Sequence, residues 1–499
     1  MKKMEFKPKH LNIKTGNSPV VMLHKKDANM LDVYSGDKVR LTACKQSVLA
    51  YVDVSFSNQI IKQGEIGLFV ETTQKMGKIT CDVKVTIEKK PRALSIIKKK
   101  LDGNRLTYKD YYTIMKDIVD DKVSHIGITY FIAAEHIHNL TLDETVNLTK
   151  AIIKTGDTLK IKKKIIVDKH CIGGVAGNRT TMIVVPILAS AGLTIPKTSS
   201  RSITSAAGTA DTVEVFCPVN LDIKKMKKII QKTGACLAWG GSMNLAPADD
   251  KIIRVEHELG IDAEAQLIAS ILGKKKSVSS THVLIDIPVG QGGKIKTTKQ
   301  ALLLKKRFLD VAKRLKLKLK VVLTDGSQPI GDGIGPALEA IDVLKVLQCK
   351  GGSSLLREKS LQLAGEIFHL VGKTKNVEQG YALAQKILDN GRAWKKFAQI
   401  IKAQGGREPS LKRIRVGNYH YDITASRSGT IKHIDNEAVN RFARIAGAPF
   451  YKEAGLFLFK HKGDKIKKGE ILFRVYSDNK DRLLFAKQEY KKKDGIVIL

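Results

Sequence analysis

The sequence predicts a multidomain α/β protein on three observations: its length, a change of hydrophobic period near residue 91, and a series of strands that run into glycine turns. At 499 residues it far exceeds the roughly 150 expected of one domain. Period-two alternation fills the first ninety residues, a helical period follows, and strands then alternate with helices to about residue 350. The expected organisation is a small N-terminal β-barrel over residues 1–90 and a helical domain over 91–158, which residues 247–278 join in space. A central, mainly parallel α/β domain takes 159–246 and 279–405, and a C-terminal α+β domain takes 406–499.

Each part has its own signals. Residues 20–24 (VVMLH), 38–43 (KVRLTA), 49–56 (LAYVDVSF), 66–71 (IGLFVE) and 82–88 (DVKVTIE) are β-rich and separated by turns such as Ser35-Gly36-Asp37. Thr141 followed by Glu144 has capping-box spacing and opens a helix through Val146, Leu148 and Ile152, with Gly156 as its stop. A strand at 165–168, a glycine turn and an apolar helix at 181–191 come next, and further strands are expected at 282–287 and 318–324. Short strands return at 420–424, 429–434, 455–460 and 470–476, around one helix at 438–446.

Composition narrows the function. The chain is 43% hydrophobic with 12 prolines, which is globular. Its apolar stretches are too short to span a membrane, and the basic N-terminus lacks the apolar core of a signal peptide. Six widely spaced cysteines, none in a C-x-x-C pattern, argue against a disulfide framework or a zinc site and fit a reducing cytoplasm. The net charge of +38 admits an anionic partner. Its lysines are spread along the chain and rarely alternate with aromatics, which argues against nucleic-acid binding as the main function.

Four runs carry chemistry. In 165–181 (IIVDKHCIGGVAGNRTT) a β-branched strand meets Lys169, His170, Gly173 and Gly174 before a helix. Glycine amides and a helix N-terminus gather round an oxyanion, Lys169 adds a full charge, and His170 adds a titratable proton. Residues 197–214 (KTSSRSITSAAGTADTVE) crowd hydroxyls round one arginine, a composition suited to a polyol or a second phosphate. Asp262, Gln266, Ser270 and Lys274 recur every four residues and form a polar helical stripe after the turn NLAPADD. In 286–296 (DIPVGQGGKIK) a second strand runs into glycines and Lys294. Two such anion sites suit two phosphates, one attacking and one carried by the substrate.

In this order the motifs DKHCIGG, SSRSITSAAGTAD, NLAPADD, LIASILGKK and GDGIGPALEA resemble the thymidine phosphorylase family, in the lengthened subfamily that includes archaeal AMP phosphorylases. The resemblance covers residue 91 to the C-terminus, and the N-terminal barrel looks like that subfamily's extra domain. It implies a helical domain beside a larger α/β domain, a cleft between them, and a homodimer or higher homo-oligomer. It implies phosphate contacts from Lys169, Gly173, Gly174 and Thr209, and nucleotide contacts from Ser200, Arg201, Ser202, Ile203, Thr204 and Ser205. Ser270, Lys274 and Lys294 match further substrate contacts, and Arg254 matches a base-contacting arginine with an offset of one residue. Either Asp262, where AMP phosphorylases have a proton donor, or His170, the histidine of the shorter thymidine enzymes, is the expected acid. The serine usual after the histidine is here Cys171.

The expected reaction is phosphorolysis of an N-glycosidic bond, with inorganic phosphate as co-substrate and neither cofactor nor metal. Lys294 favours AMP, giving adenine and ribose 1,5-bisphosphate. Thymidine, giving thymine and 2-deoxyribose 1-phosphate, is the alternative, and RNA binding is a remoter one.

Overall fold

The computed structural model describes residues 3–492 and 496–498, except 17, 78, 89, 203, 204 and 262. It divides into two compact units, residues 1–102 with 116–131, and residues 103–115 with 132–499.

The first unit contains a closed barrel of β1 (Lys3–His10), β2 (Val20–His24), β3 (Lys38–Ala43), β4 (Gln46–Ser55), β5 (Glu65–Leu68) and β6 (Val83–Ile87), in the order β1-β5-β2-β4-β3-β6. Alternate residues such as Val21, Leu23, Val39, Leu41, Val83 and Val85 fill its interior. The barrel has a strand, β1, that the alternation does not announce, because Phe6 is its one fully buried side chain. Two short helices, α1 (Lys25–Leu31) and α2 (Val70–Met76), also interrupt the expected all-β run. A disulfide joins Cys44 to Cys81, with their Cα atoms 6.4 Å apart, which corrects the expectation of none. Cys44 follows β3 and Cys81 precedes β6, and these strands pair antiparallel with Thr42 opposite Lys84. Topology brings together two cysteines that sequence spacing keeps apart. This unit also holds α3 (Arg92–Leu101), and the boundary between units falls within α4 (Tyr108–Val119) and α5 (His125–His138).

In the second unit, α6 (Leu142–Thr155) starts as its sequence signals. Thr141 Oγ1 accepts from the Glu144 amide at 3.2 Å, and the Glu144 carboxylate accepts from the Thr141 amide at 3.1 Å. Gly156 ends α6 in extended conformation, not left-handed. It must be glycine because a Cβ would stand 2.7 Å from the Leu245 carbonyl carbon. Farther along come α7 (Thr180–Ser190), α8 (Thr209–Val213), α9 (Ile223–Thr233), α10 (Pro247–Leu259) and α11 (Glu264–Ser277). The last two pack on α6, and Gly273 lets α11 approach closely enough that a Cβ would lie 3.2 Å from Ile152 Cγ2.

The central sheet is parallel throughout. Strands β7 (Val167–Cys171), β10 (His282–Val289) and β11 (Lys318–Asp325) lie in the order β11-β10-β7, and β8 (Ile195–Ser199) pairs with β9 (Ala235–Trp239). A parallel bridge from Ile166 to Thr194 links the two groups. Helix α7 is apolar all round and buried, packing on α14 (Ser354–Leu370) and α16 (Arg392–Ala403). Helices α12 (Thr298–Arg314), α13 (Pro336–Leu347) and α15 (Val377–Asp389) complete the layers.

At the C-terminus, β12 (Gly333–Ile334), β13 (Tyr419–Thr424), β15 (Gly455–Leu458) and β17 (Ile471–Ser477) form a sheet in the order β12-β15-β17-β13. Strands β14 (Gly429–Ile434), β16 (Lys465–Ile466) and β18 (Ile496–Ile498) form a second, and α17 (Asn436–Ile445) and α18 (Lys480–Lys492) pack on the first. Among the described residues no helix is long and apolar enough to cross a membrane.

Candidate active site

The site forms along the carboxyl edge of the parallel sheet, where ligands of open α/β sheets bind. β7 runs into the glycine turn at 173–177, β8 into the loop at 200–208, and β10 into the turn at 290–293. Gly173 and Gly174 have φ of 96° and 92°, a region that glycine enters without steric cost. Beside Gly173 there is open space, whereas a Cβ on Gly174 would collide with the backbone of Gly293 and Lys294. The two glycine turns that the sequence places 120 residues apart therefore touch, and Lys294 stands at their junction with an exposed side chain.

β7 extends through Cys171, three residues beyond its expected end, and this decides where its side chains go. Successive residues of a strand face opposite sides, so Asp168 and His170 share one face and Lys169 and Cys171 the other. On the first face Asp168 is fully buried, with Lys275 Nζ at 2.9 Å and Lys197 Nζ at 3.7 Å. One carboxylate serves two ammonium groups. Burial, reinforced by Lys275, pushes the Lys197 pKa down to about 7. Burial and the charges of Lys275, Lys197, Lys169 and Lys274 push that of His170 well below the usual imidazole range, so the free protein holds a neutral histidine in a cationic cleft.

The other face repeats the arrangement. Asp286, from β10, lies 3.2 Å from Lys359 Nζ and 4.0 Å from Lys169 Nζ, and accepts from Thr324 Oγ1 at 2.6 Å. Lys169 is 2% exposed and donates to Thr180 Oγ1 at 2.7 Å, so its charge lies beneath the glycine turn rather than on it. Burial pulls its pKa down, against the opposing pull of Cys171 and Asp286. Burial also pushes the Cys171 thiol up to about 11, and its Sγ accepts from Asn178 Nδ2 at 3.3 Å.

The polar stripe of α11 converges on a single aspartate. Asp249, fully buried in α10, accepts from Gln266 Nε2 at 3.1 Å and Ser270 Oγ at 2.7 Å, and pairs with Lys274 Nζ at 2.9 Å. Burial disfavours the charge on Lys274, but Asp249 and Asp250 outweigh it and hold its pKa above the ordinary value. Ser270 and Lys274 are thus fixed by α10, and Lys274 remains within electrostatic range of His170. Asp262 of the same expected stripe lies outside the described residues, as do Ile203 and Thr204.

The loop after β8 is held by its own acids. Arg201 bonds Asp211 Oδ1 at 3.0 Å and Glu214 Oε1 at 2.6 Å, and its guanidinium lies 5.0 Å over the Trp239 ring. Both terminal nitrogens of its guanidinium are engaged by these acids. Asp211 also accepts from the Ser202 and Gly208 amides at 2.7 and 2.8 Å, while Ser205 Oγ donates to Ala207 O at 2.8 Å. Ser200 is exposed at the start of the loop, and Thr209 opens α8 half-buried. Arg179, just past the first glycine turn, ties the loop to that turn by bonding Ala207 O and Glu339. Arg254 lies on α10.

Sequence reasoning missed Lys197, Lys275, Asp286, Lys359 and Asp249 as site residues. The signal for Lys197 and Asp286 is a charge inside a buried strand, in IPKTS and HVLIDIPV, where an ion needs a partner. Lys359 sits far along the chain in α14 and carries no such mark.

Comparison with known proteins agrees with this architecture. A model of the glycosyl transferase family a/b domain matches residues 163–394, its helical bundle domain matches 94–156, and the pyrimidine nucleoside phosphorylase C-terminal domain matches 430–496. The chain is 40% identical over 497 residues to an AMP phosphorylase of Methanococcoides burtonii, covering 99% of this chain and 97% of that protein. It is 43% identical to an AMP phosphorylase of Thermococcus kodakarensis, covering 93% and 92%. A putative thymidine phosphorylase of Legionella pneumophila (strain Paris) is 39% identical, covering 98% and 95%. Among solved structures, anthranilate phosphoribosyltransferase from Thermus thermophilus shares the fold at a TM-score of 0.54 and 17% identity, over 62% of this chain and 99% of that one. With full-length relatives near 40% identity and these domains in this order, the chain belongs to the glycosyl transferase family, in its nucleoside and nucleotide phosphorylase branch.

Proposed function

We propose that this phosphorylase cleaves the N-glycosidic bond of AMP with inorganic phosphate, releasing adenine and ribose 1,5-bisphosphate. The observation that carries the reading is the charge balance around β7: each face sets two lysines against one aspartate, beneath two touching glycine turns. The deficit of negative charge is what a pair of phosphates supplies. The first turn suits the attacking phosphate. Lys294, at the second, suits the 5′-phosphate of a nucleotide.

In the reaction, a phosphate oxygen forms a bond to C1′ while the bond from C1′ to the base breaks. Its electron pair leaves with the base, which takes up a proton. Fixed ammonium groups and amides hold both phosphates in place, and most of the acceleration on this reading is positioning and charge stabilisation. Burial and the surrounding lysines disfavour a protonated His170 in the free protein, and Asp262, at the position of the proton donor in AMP phosphorylases, is the proposed donor. No electron transfer occurs, and the step as written uses no metal or cofactor. Glycosyl transfer to phosphate from thymidine is the second reading, supported by the relatives named putative thymidine phosphorylase. We expect a dimer or higher assembly in the cytoplasm, with α5 exposing Ile126, Tyr130 and Ile137. Base release from AMP, CMP, UMP, uridine and thymidine, each with and without phosphate, tests the substrate reading. Fastest release from AMP, and only with phosphate, supports it; preference for thymidine replaces it.

A further inference from the structure

The C-terminal domain reaches into the site. Asn436 and Asn440 stand at the first and fifth positions of α17, one helical turn apart and on the same face, and both are buried, at 0% and 8% exposure. Asn436 Oδ1 accepts from the Ala176 amide of the first glycine turn at 2.9 Å, and its Nδ2 donates to Gly326 O, just past β11, at 3.2 Å. The same side chain fills the space over Gly292 in the second glycine turn, where a Cβ would stand 2.6 Å from Nδ2. Asn440 Oδ1 accepts from the Ala206 amide of the loop after β8 at 3.0 Å, and its Nδ2 donates back to Asn436 O at 2.9 Å. Ala176 and Ala206 themselves sit in the apolar core of the C-terminal domain, with Ile431, Val439 and Phe442.

A general-purpose packing contact needs none of this. Apolar burial alone is non-directional and would let each loop slide by an ångström or more, whereas a buried amide bond fixes one backbone nitrogen at one place. Asparagine carries an acceptor and a donor on one short planar group, so one residue can hold two backbone segments in register. The three loops follow three different strands, β7, β8 and β10. We propose that Asn436 and Asn440 are positioning residues of the reaction: α17 is a clamp that sets the attacking-phosphate turn, the 5′-phosphate turn and the nucleotide loop in mutual register, and makes the C-terminal domain part of the active site. The inference rests on the reading of those loops under the proposed function.

The test measures dissociation constants for AMP and for inorganic phosphate separately, by calorimetry on the full-length protein, together with kcat and the thermal midpoint. Asn440→Ala frees the nucleotide loop alone and is expected to weaken AMP about tenfold, the factor for about 1.4 kcal/mol, while phosphate affinity stays within about twofold. Asn436→Ala touches both glycine turns and is expected to weaken both ligands by about that factor. Gly292→Ala approaches the same contact from the loop side and is expected to follow Asn436→Ala, which covers the case in which an asparagine variant does not fold. Phe442→Leu is the control for stability: Phe442 stacks on Phe473 at 6.2 Å within the same core and bonds neither loop. It is expected to lower the midpoint and leave both affinities unchanged. If the asparagine variants lower the midpoint and change neither affinity, as the control does, the clamp is merely structural and the proposal fails. Because the readout is binding, wild-type protein that binds both ligands in this pattern but catalyses no phosphorolysis overturns the proposed reaction and leaves the clamp standing. Wild-type protein that binds neither overturns both.

Discussion

The two faces of β7 solve one electrostatic problem in different surroundings. Each carries two lysines and one fully buried aspartate. Around Asp286 the arrangement is sealed: Lys169 and Lys359 are 2% and 7% exposed, Thr180 accepts from Lys169, and Thr324 donates to Asp286. Around Asp168 the paired lysines are as deeply buried, Lys197 at 3% and Lys275 at 2%, but this face also carries the half-buried His170, within electrostatic range of Lys274, whose side chain is 27% exposed. A buried carboxylate between two amines leaves one of them short of a counter-charge on either face. What differs is access. On the Asp168 side an anion can approach through His170 and Lys274, whereas Lys169 on the Asp286 side is itself only 2% exposed.

The largest effect should come from breaking the sealed face. Asp286→Ala strands Lys169 and Lys359 in the interior, and losing one partner of a buried ion pair costs about 3–5 kcal/mol. Thermal unfolding should show a large fall in midpoint that added phosphate does not restore. Asp168→Ala should start from a comparable loss, yet recover part of it at saturating phosphate. Equal recovery by both variants would erase the distinction between the faces.

Two substitutions of intermediate size sharpen it. Lys294→Met should lose about 1.5–3 kcal/mol, roughly 10–150-fold in kcat/KM, with AMP and little with adenosine, which has no 5′-phosphate. Equal losses on both substrates would make Lys294 structural. Lys169→Met leaves Asp286 paired with Lys359, so the fold should survive while the phosphate KM rises and kcat falls. A variant with unchanged phosphate dependence removes Lys169 from the reaction.

The smallest effect is a pH dependence. The folded pKa of His170 lies below its unfolded value of 6.5, so the unfolded chain binds the extra proton first as pH falls. This contribution is complete above about pH 6.5 and is lost below it, down to the depressed folded pKa, at about 1.4 kcal/mol per unit of difference. Between pH 7 and 5 the wild-type midpoint should drop more than that of His170→Gln. Parallel curves would mean that burial and the neighbouring lysines do not depress the imidazole pKa.

Much of this was legible in the sequence, for local reasons. The Thr141 cap, the change of period and the placing of glycine turns at strand ends follow from rules that span a few residues. What was not legible depends on distant partners. The extension of β7 through Cys171 follows from its pairing with β10, where Asp286 lies opposite Cys171, and it separates Lys169 from His170 although they are neighbours in the chain. The gathering of Gln266, Ser270 and Lys274 on Asp249 needs the approach of α10 to α11. Asn436 meets Ala176 across 260 residues, and no local pattern marks an asparagine at the start of a surface helix as part of a phosphate site.

On the proposed reading the anion-deficient cleft uses phosphate as the nucleophile toward a nucleotide. Phosphorus NMR of the wild-type protein with AMP and inorganic phosphate tests it most directly. Adenine release is expected to stop without phosphate, with a sugar product carrying both a 1-phosphate and a 5-phosphate. Adenine release at the same rate without phosphate, leaving ribose 5-phosphate, would contradict it.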